Sequence, residues 1–123
     1  MGNVLFMTSA ILTGVWGSAH LIATKSVVAG FGDISQDNKH IITMEWIIEG
    51  ISLIFIGILI GVITLIDSTD IISKMVYFLS ADLLVVLATI SLFTGFKAKQ
   101  LPFKLCPFIF GVSAALIFVG IIV

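Results

Sequence analysis

Four long apolar runs, parted by short clusters of charge, dictate what this chain can fold into. They are Asn3 to Ala23, Ile41 to Ile66, Ile71 to Phe96, and a run from near Pro102 to Val123. Each holds about 20 residues or more, enough to cross ~30 Å of hydrocarbon as a helix. A bilayer core has no water to satisfy lone backbone groups, so apolar runs of this length are predicted to be α-helices. The expected fold is all-α: a polytopic membrane protein, a four-transmembrane-helix bundle. It is expected to form one domain over residues 1–123, with helices at about 3–24, 36–66, 70–96 and 102–123. The composition agrees, with 59% hydrophobic and only 11% charged residues, where a soluble domain carries about a quarter charged.

Charge excludes several classes. The basic residues are 6 lysines against 7 acids, for a net charge of -1. No basic face is available for phosphates, so no nucleic-acid partner is expected. The single cysteine, Cys106, rules out an internal disulfide and a multi-cysteine metal site. The first apolar run has no Lys or Arg ahead of it and is longer than a signal-peptide core, so it is expected to be retained.

Helix ends are marked by local chemistry. Gly30 and Gly32 suit the end of the first helix. Ser35 suits the N-cap of the second, with Asp37 complementing the dipole in its first turn. Asp67-Ser68-Thr69-Asp70 reads as a tight turn offering N-caps to the third, and Pro102 fits the first turn of the fourth. Pro107 is expected either to start the membrane-embedded part or to kink it. Lys25, Lys39, Lys97, Lys99 and Lys104 fall in or beside the loops after the first and third runs, and Lys74 alone falls on the other side. The positive-inside rule then puts both termini outside the cytoplasm of a cell inner membrane.

Polar groups at membrane depth are the candidate site. Glu45 and Glu49, four residues apart, share a face of the second helix, and two carboxylates this close resist ionising together. Asp82 lies near the middle of the third run, where a charge costs about 2.5–3.5 kcal/mol to insert and so demands a proton, a partner or a wet cavity. His20 lines up with Thr13, Gly17 and Thr24 at helical spacing, at the expected depth of Glu45 and Glu49. An imidazole there suits an ion pair or proton relay. Trp16 lies one turn deeper. Trp46, between the glutamates in sequence, reads first as an interfacial belt residue. No catalytic residue, metal or cofactor is expected. The E-x-x-H pairs of di-iron bundles are missing, His40 reads as a headgroup-level residue, and there is no C-x-x-C, H-E-x-x-H or G-x-S-x-G. Cys106 reads as a small apolar packer.

Gly57 and Gly61 form a G-x-x-x-G pattern, and Ala10, Gly14 and Ser18 repeat its interval. These stripes suit either a contact between the first two helices or a dimer seam. The segment Lys25 to Lys39, with Val27, Val28, Phe31 and Ile34 among polar residues, reads as an interfacial flap that can cover the mouth above His20 and Glu49.

The segment Thr24 to Gly50 contains Gly30-Phe31-Gly32-Asp33-Ile34-Ser35, Asp37-Asn38, Met44-Glu45-Trp46 and Glu49-Gly50. It resembles a family of small, uncharacterised bacterial four-helix inner-membrane proteins, and the size and layout look distantly DoxX-like. The resemblance implies a bacterial four-helix membrane protein. It carries no redox role across, because paired cysteines and haem ligands are missing.

Three functions fit these residues. The first is a bundle that binds a hydrophobic or amphipathic ligand (a lipid, a quinone-like molecule or a cation) in a cavity lined by intramembrane acids. The second is a small proton-coupled exporter acting as a homodimer, against which the 5-to-1 lysine count weighs. The third is a non-catalytic accessory subunit whose polar groups meet a partner membrane protein. An isomerase-type enzyme using the same acids is a weaker fourth.

Overall fold

Ser35 accepts a hydrogen bond from the Asn38 amide at 3.2 Å, and Asp70 accepts one from the Ile72 amide at 2.8 Å. These two caps open the second and third of four helices in the computed structural model, which describes all residues, Met1–Val123. The helices are α1 (Gly2–Ala29), α2 (Gln36–Asp67), α3 (Ile71–Phe93) and α4 (Leu101–Ile122), with a short 3-10 turn, Gly95–Lys97, before α4. There are no strands, and all four helices are long and apolar enough to cross a membrane. Pro102 stands in the first turn of α4, where a missing amide costs nothing. The helix runs on through Pro107, which is buried.

One difference from the sequence reading concerns the first connection. The segment from Lys25 does not lie as a flap: α1 continues to Ala29, and the loop is short, from Gly30 to Ser35. Lys25-Ser-Val-Val-Ala contains no breaker, so the helix persists until glycine appears. Gly32 takes a positive φ of 74°, the left-handed conformation that favours glycine.

Around the bundle the order is α2, α1, α4, α3. The pairs α1–α2, α1–α4 and α3–α4 pack extensively, whereas α2 and α3 touch only lightly. The α1–α2 seam is built on small residues. A Cβ added at Gly17 would lie 2.6 Å from the Gly50 carbonyl oxygen, and one at Gly57 would lie 2.7 Å from the Ala10 carbonyl oxygen. The G-x-x-x-G stripe therefore lies within the chain at Gly57, and the close approach continues to Gly50, two turns nearer the start of α2. Gly61 has more room, with its nearest neighbour at 3.9 Å.

The core runs along the bundle through Phe6, Leu53, Ile60, Tyr77, Leu84, Phe110 and Ile117. Phe6 stacks on Tyr77 with ring centres 3.8 Å apart. Thr64 donates its hydroxyl proton to the Ile60 carbonyl at 2.6 Å, so the bond between Tyr77 Oη and Thr64 Oγ1, at 2.9 Å, has Tyr77 as donor. This bond ties α2 to α3. On the other side of the bundle, Ser9 donates to the Ser113 carbonyl at 2.9 Å and ties α1 to α4. Between α2 and α3, Ile51, Phe55, Leu59, Val76, Leu79 and Leu83 line an apolar groove of about 550 Å³.

Two expectations follow. Gly57→Ala meets backbone atoms of α1 and should destabilise the fold by about 1–3 kcal/mol as overpacking does. Gly14→Ala, whose new Cβ meets nothing within 4 Å, should be tolerated. Unfolding titrations of the purified protein in detergent check the contrast. Tyr77→Phe should lose about 0.5–1.5 kcal/mol by the same measurement, because Thr64 keeps its own bond to Ile60.

Candidate functional site

The inward stripe of α1 carries Thr13, Gly17, His20 and Thr24, all buried. His20 is 1% exposed. Its ring sits where α1, α2 and α4 meet, and each helix contributes one contact. Within α1, Nδ1 lies 2.9 Å from the Trp16 carbonyl oxygen. A carbonyl only accepts, so this bond keeps a proton on Nδ1 and leaves Nε2 facing the other two helices. From α2, Glu49 Oε1 lies 3.7 Å from Nε2. From α4, Cys106 Sγ lies 4.0 Å from the same nitrogen.

Aromatic rings hold the imidazole in place. Trp46 stacks on His20 with centres 4.2 Å apart and planes 22° apart, and Trp16 meets it edge-on at 5.4 Å. The Trp46 indole N–H donates to the His20 carbonyl at 2.7 Å. That carbonyl also accepts from the Thr24 hydroxyl at 2.9 Å. Trp46 is thus a buried bracket across the α1–α2 seam. It reaches inward because Gly50, one turn on, brings the helices close enough. Trp16 Nε1 is buried and has no hydrogen-bond partner.

The acids do not converge as expected. Glu49 is half-buried and reaches His20, whereas Glu45 is exposed on the outer side of α2. Asp82 is exposed as well, between the equally exposed Leu79 and Val86. The reason is helical phase. The buried stripe of α3 is Ser73, Tyr77, Ser80, Ala81 and Leu84, and Asp82 lies about 100° past Ala81 and on the far side from Leu84. No cavity joins Asp82 to His20. His40 is also remote from the cluster: it is exposed and contacts Gln36 at 3.3 Å.

Cys106 is the residue that sequence reasoning passed over. A signal for it existed. Cys106, Phe110, Ser113, Ala114 and Ile117 recur at helical spacing and form the buried stripe of α4. Phase alone thus places the thiol inward, although not beside His20.

A cleft of about 430 Å³ opens next to the cluster. Phe31, Leu87, Ile90 and Phe103 give it apolar walls, Ser91 and Thr94 supply hydroxyls, and Glu49 and Cys106 also line it. Glu49 is the only charged side chain on its wall. Phe31 comes from the first loop and meets Phe103 edge-on at 5.9 Å, and Phe103 in turn meets Trp46 at 5.1 Å. The short loop therefore does cover the Glu49 side of the site, through one side chain. A smaller hollow of about 230 Å³ lies on the other side of His20, between Trp16, Trp46, Pro102 and Leu105.

Against family models, curated proteins and solved structures, the chain finds no match.

Trp46→Phe keeps a ring on His20 but deletes the bond across the seam. It should cost about 0.5–1.5 kcal/mol in equilibrium unfolding. Asp82→Asn, remote from the cluster, should leave the tryptophan fluorescence spectrum of the folded protein unchanged.

Proposed function

We propose that this chain is a multi-pass membrane protein, a four-transmembrane-helix bundle of the bacterial inner membrane with both termini outside the cytoplasm. In this reading it binds an amphipathic cation in the cleft beside Glu49. The observation that carries the reading is the position of Glu49, one acid in an otherwise uncharged cleft, its side chain 35% exposed. A ligand with an apolar body suits Phe103, Leu87, Ile90 and Phe31. A positive head suits the carboxylate and the faces of the neighbouring rings. A neutral lipid or quinone-like molecule would add no charge contact to that carboxylate, whose one neighbour is His20 at 3.7 Å, and is disfavoured for that reason. Loops one and three flank the cleft, so the lysine-rich side is where the ligand enters.

The exposed position of Asp82 supports a second, compatible reading. An acid on the outer face of α3 demands a partner in hydrocarbon, so α3 docks on a helix of another protein or of a second copy, as an accessory subunit would. Asp82→Leu should then lower the mass measured by light scattering in detergent. A single-chain mass in the wild type would leave a different protein as the partner.

The main reading is tested with tetraphenylphosphonium as the probe, followed through tryptophan fluorescence because Trp46 abuts Phe103. Saturable binding is expected. Glu49→Gln should weaken it by roughly tenfold, in line with loss of about 1.4 kcal/mol from one charge contact, and Glu45→Gln should not. Equal binding by the Glu49→Gln protein would remove the cleft from the function.

A further inference from the structure

We propose that His20, Glu49 and Cys106 form a binding site for a borderline-soft divalent cation of the zinc kind, bound by one nitrogen, one oxygen and one sulfur. The donor atoms of the three side chains all lie within 4.8 Å of one another. They come from α1, α2 and α4, so the bundle itself assembles the set, and no sequence motif announces it.

Four features favour an ion over mere packing. The first is the direction of the imidazole. Nδ1 donates to the Trp16 carbonyl, the usual outer contact of a metal-bound histidine, which fixes the ring and points the Nε2 lone pair at the other donors. The second is an unmet need. In the neutral ring Nε2 is an acceptor, yet it faces a carboxylate 3.7 Å away and a sulfur 4.0 Å away. These are long for hydrogen bonds and leave a 99%-buried ring without a close partner on that side. The third is size. Bonds of about 2.0 Å to nitrogen and oxygen and 2.3 Å to sulfur need tetrahedral donors roughly 3.3–3.6 Å apart. The separations from Nε2, 3.7 Å to the Glu49 oxygen and 4.0 Å to the Cys106 sulfur, exceed this by a few tenths of an ångström, and the Glu49 oxygen and the sulfur lie within 4.8 Å of each other, so the carboxylate has to swing in to complete the set. The half-exposed Glu49 side chain is free to close the difference.

Charge is the fourth. A thiolate and a carboxylate together cancel a dication, and the histidine stays neutral, so the loaded site carries no net charge into a low-dielectric interior. Loading releases the thiol proton to solvent through the cleft, whose wall includes both Glu49 and Cys106. The orphan Trp16 N–H lies toward Cys106, and a metal-bound thiolate is a better acceptor for it than a thiol. Three protein donors leave the fourth position open. Two of the three donors, Glu49 and Cys106, line the cleft, which gives a further ligand a route to that position.

The inference stands apart from the lipophilic-cation reading. Cys106→Ser should weaken metal binding and spare tetraphenylphosphonium, whereas Glu49→Gln should weaken both. The probe is cobalt(II) added to the purified, reduced protein in detergent, then displaced by zinc. Wild type should take up one equivalent and show the intense visible bands of tetrahedral cobalt together with a thiolate-to-cobalt charge-transfer band. Cys106→Ser should lose the charge-transfer band and bind at least roughly tenfold more weakly. Glu49→Gln should keep the thiolate band and bind more weakly. Zinc should also raise the unfolding temperature of wild type and not of Cys106→Ser. Absence of stoichiometric uptake by wild type, or a cobalt spectrum identical in wild type and Cys106→Ser, would overturn the site. If Cys106→Ser fails to fold, the Glu49→Gln spectrum decides: unchanged affinity there overturns the three-donor set.

Discussion

The close approach of α1 and α2 is the constraint on which the rest depends. Gly17 faces Gly50 and Gly57 faces Ala10, with backbone atoms where a side chain would otherwise stand. Only at that separation can the Trp46 indole span the seam to the His20 carbonyl and lay its ring on the imidazole. Only there does Glu49, on the next residue back from Gly50, come within reach of Nε2. In a bilayer, the setting proposed for this chain, helices gain no hydrophobic drive toward contact, since lipid is as apolar as the helix surface. Backbone proximity and interhelical hydrogen bonds supply it instead. The glycines thus set both the stability of the pair and the geometry of the polar cluster.

Much of the architecture is legible in the residue order because apolar length and end chemistry are local signals. The caps at Ser35 and Asp70 and the turn between α2 and α3 can be read from a few neighbouring residues. So can the inward stripe Thr13, Gly17, His20 and Thr24. The first loop misled because a single Lys25 among apolar residues resembles a span boundary, while the backbone follows the nearest breaker at Gly30. What could not be read is rotation. The phase of α3 turns Asp82 outward, and the phase of α2 separates Glu45 from Glu49. Both phases follow from contacts between helices distant in sequence. The same holds for Cys106: its stripe foretells burial, but its meeting with His20 depends on how α4 crosses α1, a choice made by Ser9, Ser113 and the Phe6–Gly120 contact.

Polarity in this bundle is concentrated where helices meet. Ser9 bonds the Ser113 carbonyl, Tyr77 bonds Thr64, and Trp46 bonds His20. Each bond joins a different pair of helices, and each satisfies a buried group that would be costly to leave bare. The His20 cluster differs in having polar capacity left over. Nε2, the thiol and the Trp16 N–H are gathered together with only long contacts among them. That surplus, more than the presence of any one acid, marks this end of the bundle as the place for chemistry.

The light contact between α2 and α3 has a mechanical consequence. Two helical hairpins, α1–α2 and α3–α4, are joined firmly along α1 and α4 and scarcely at all along their opposite flank. A relative swing of the hairpins meets less packing on the α2–α3 flank than on the other, with the Tyr77–Thr64 bond as its polar tie. Glu49 belongs to the first hairpin, and Leu87, Ser91 and Cys106 to the second. Whatever lodges among them therefore touches both hairpins at once.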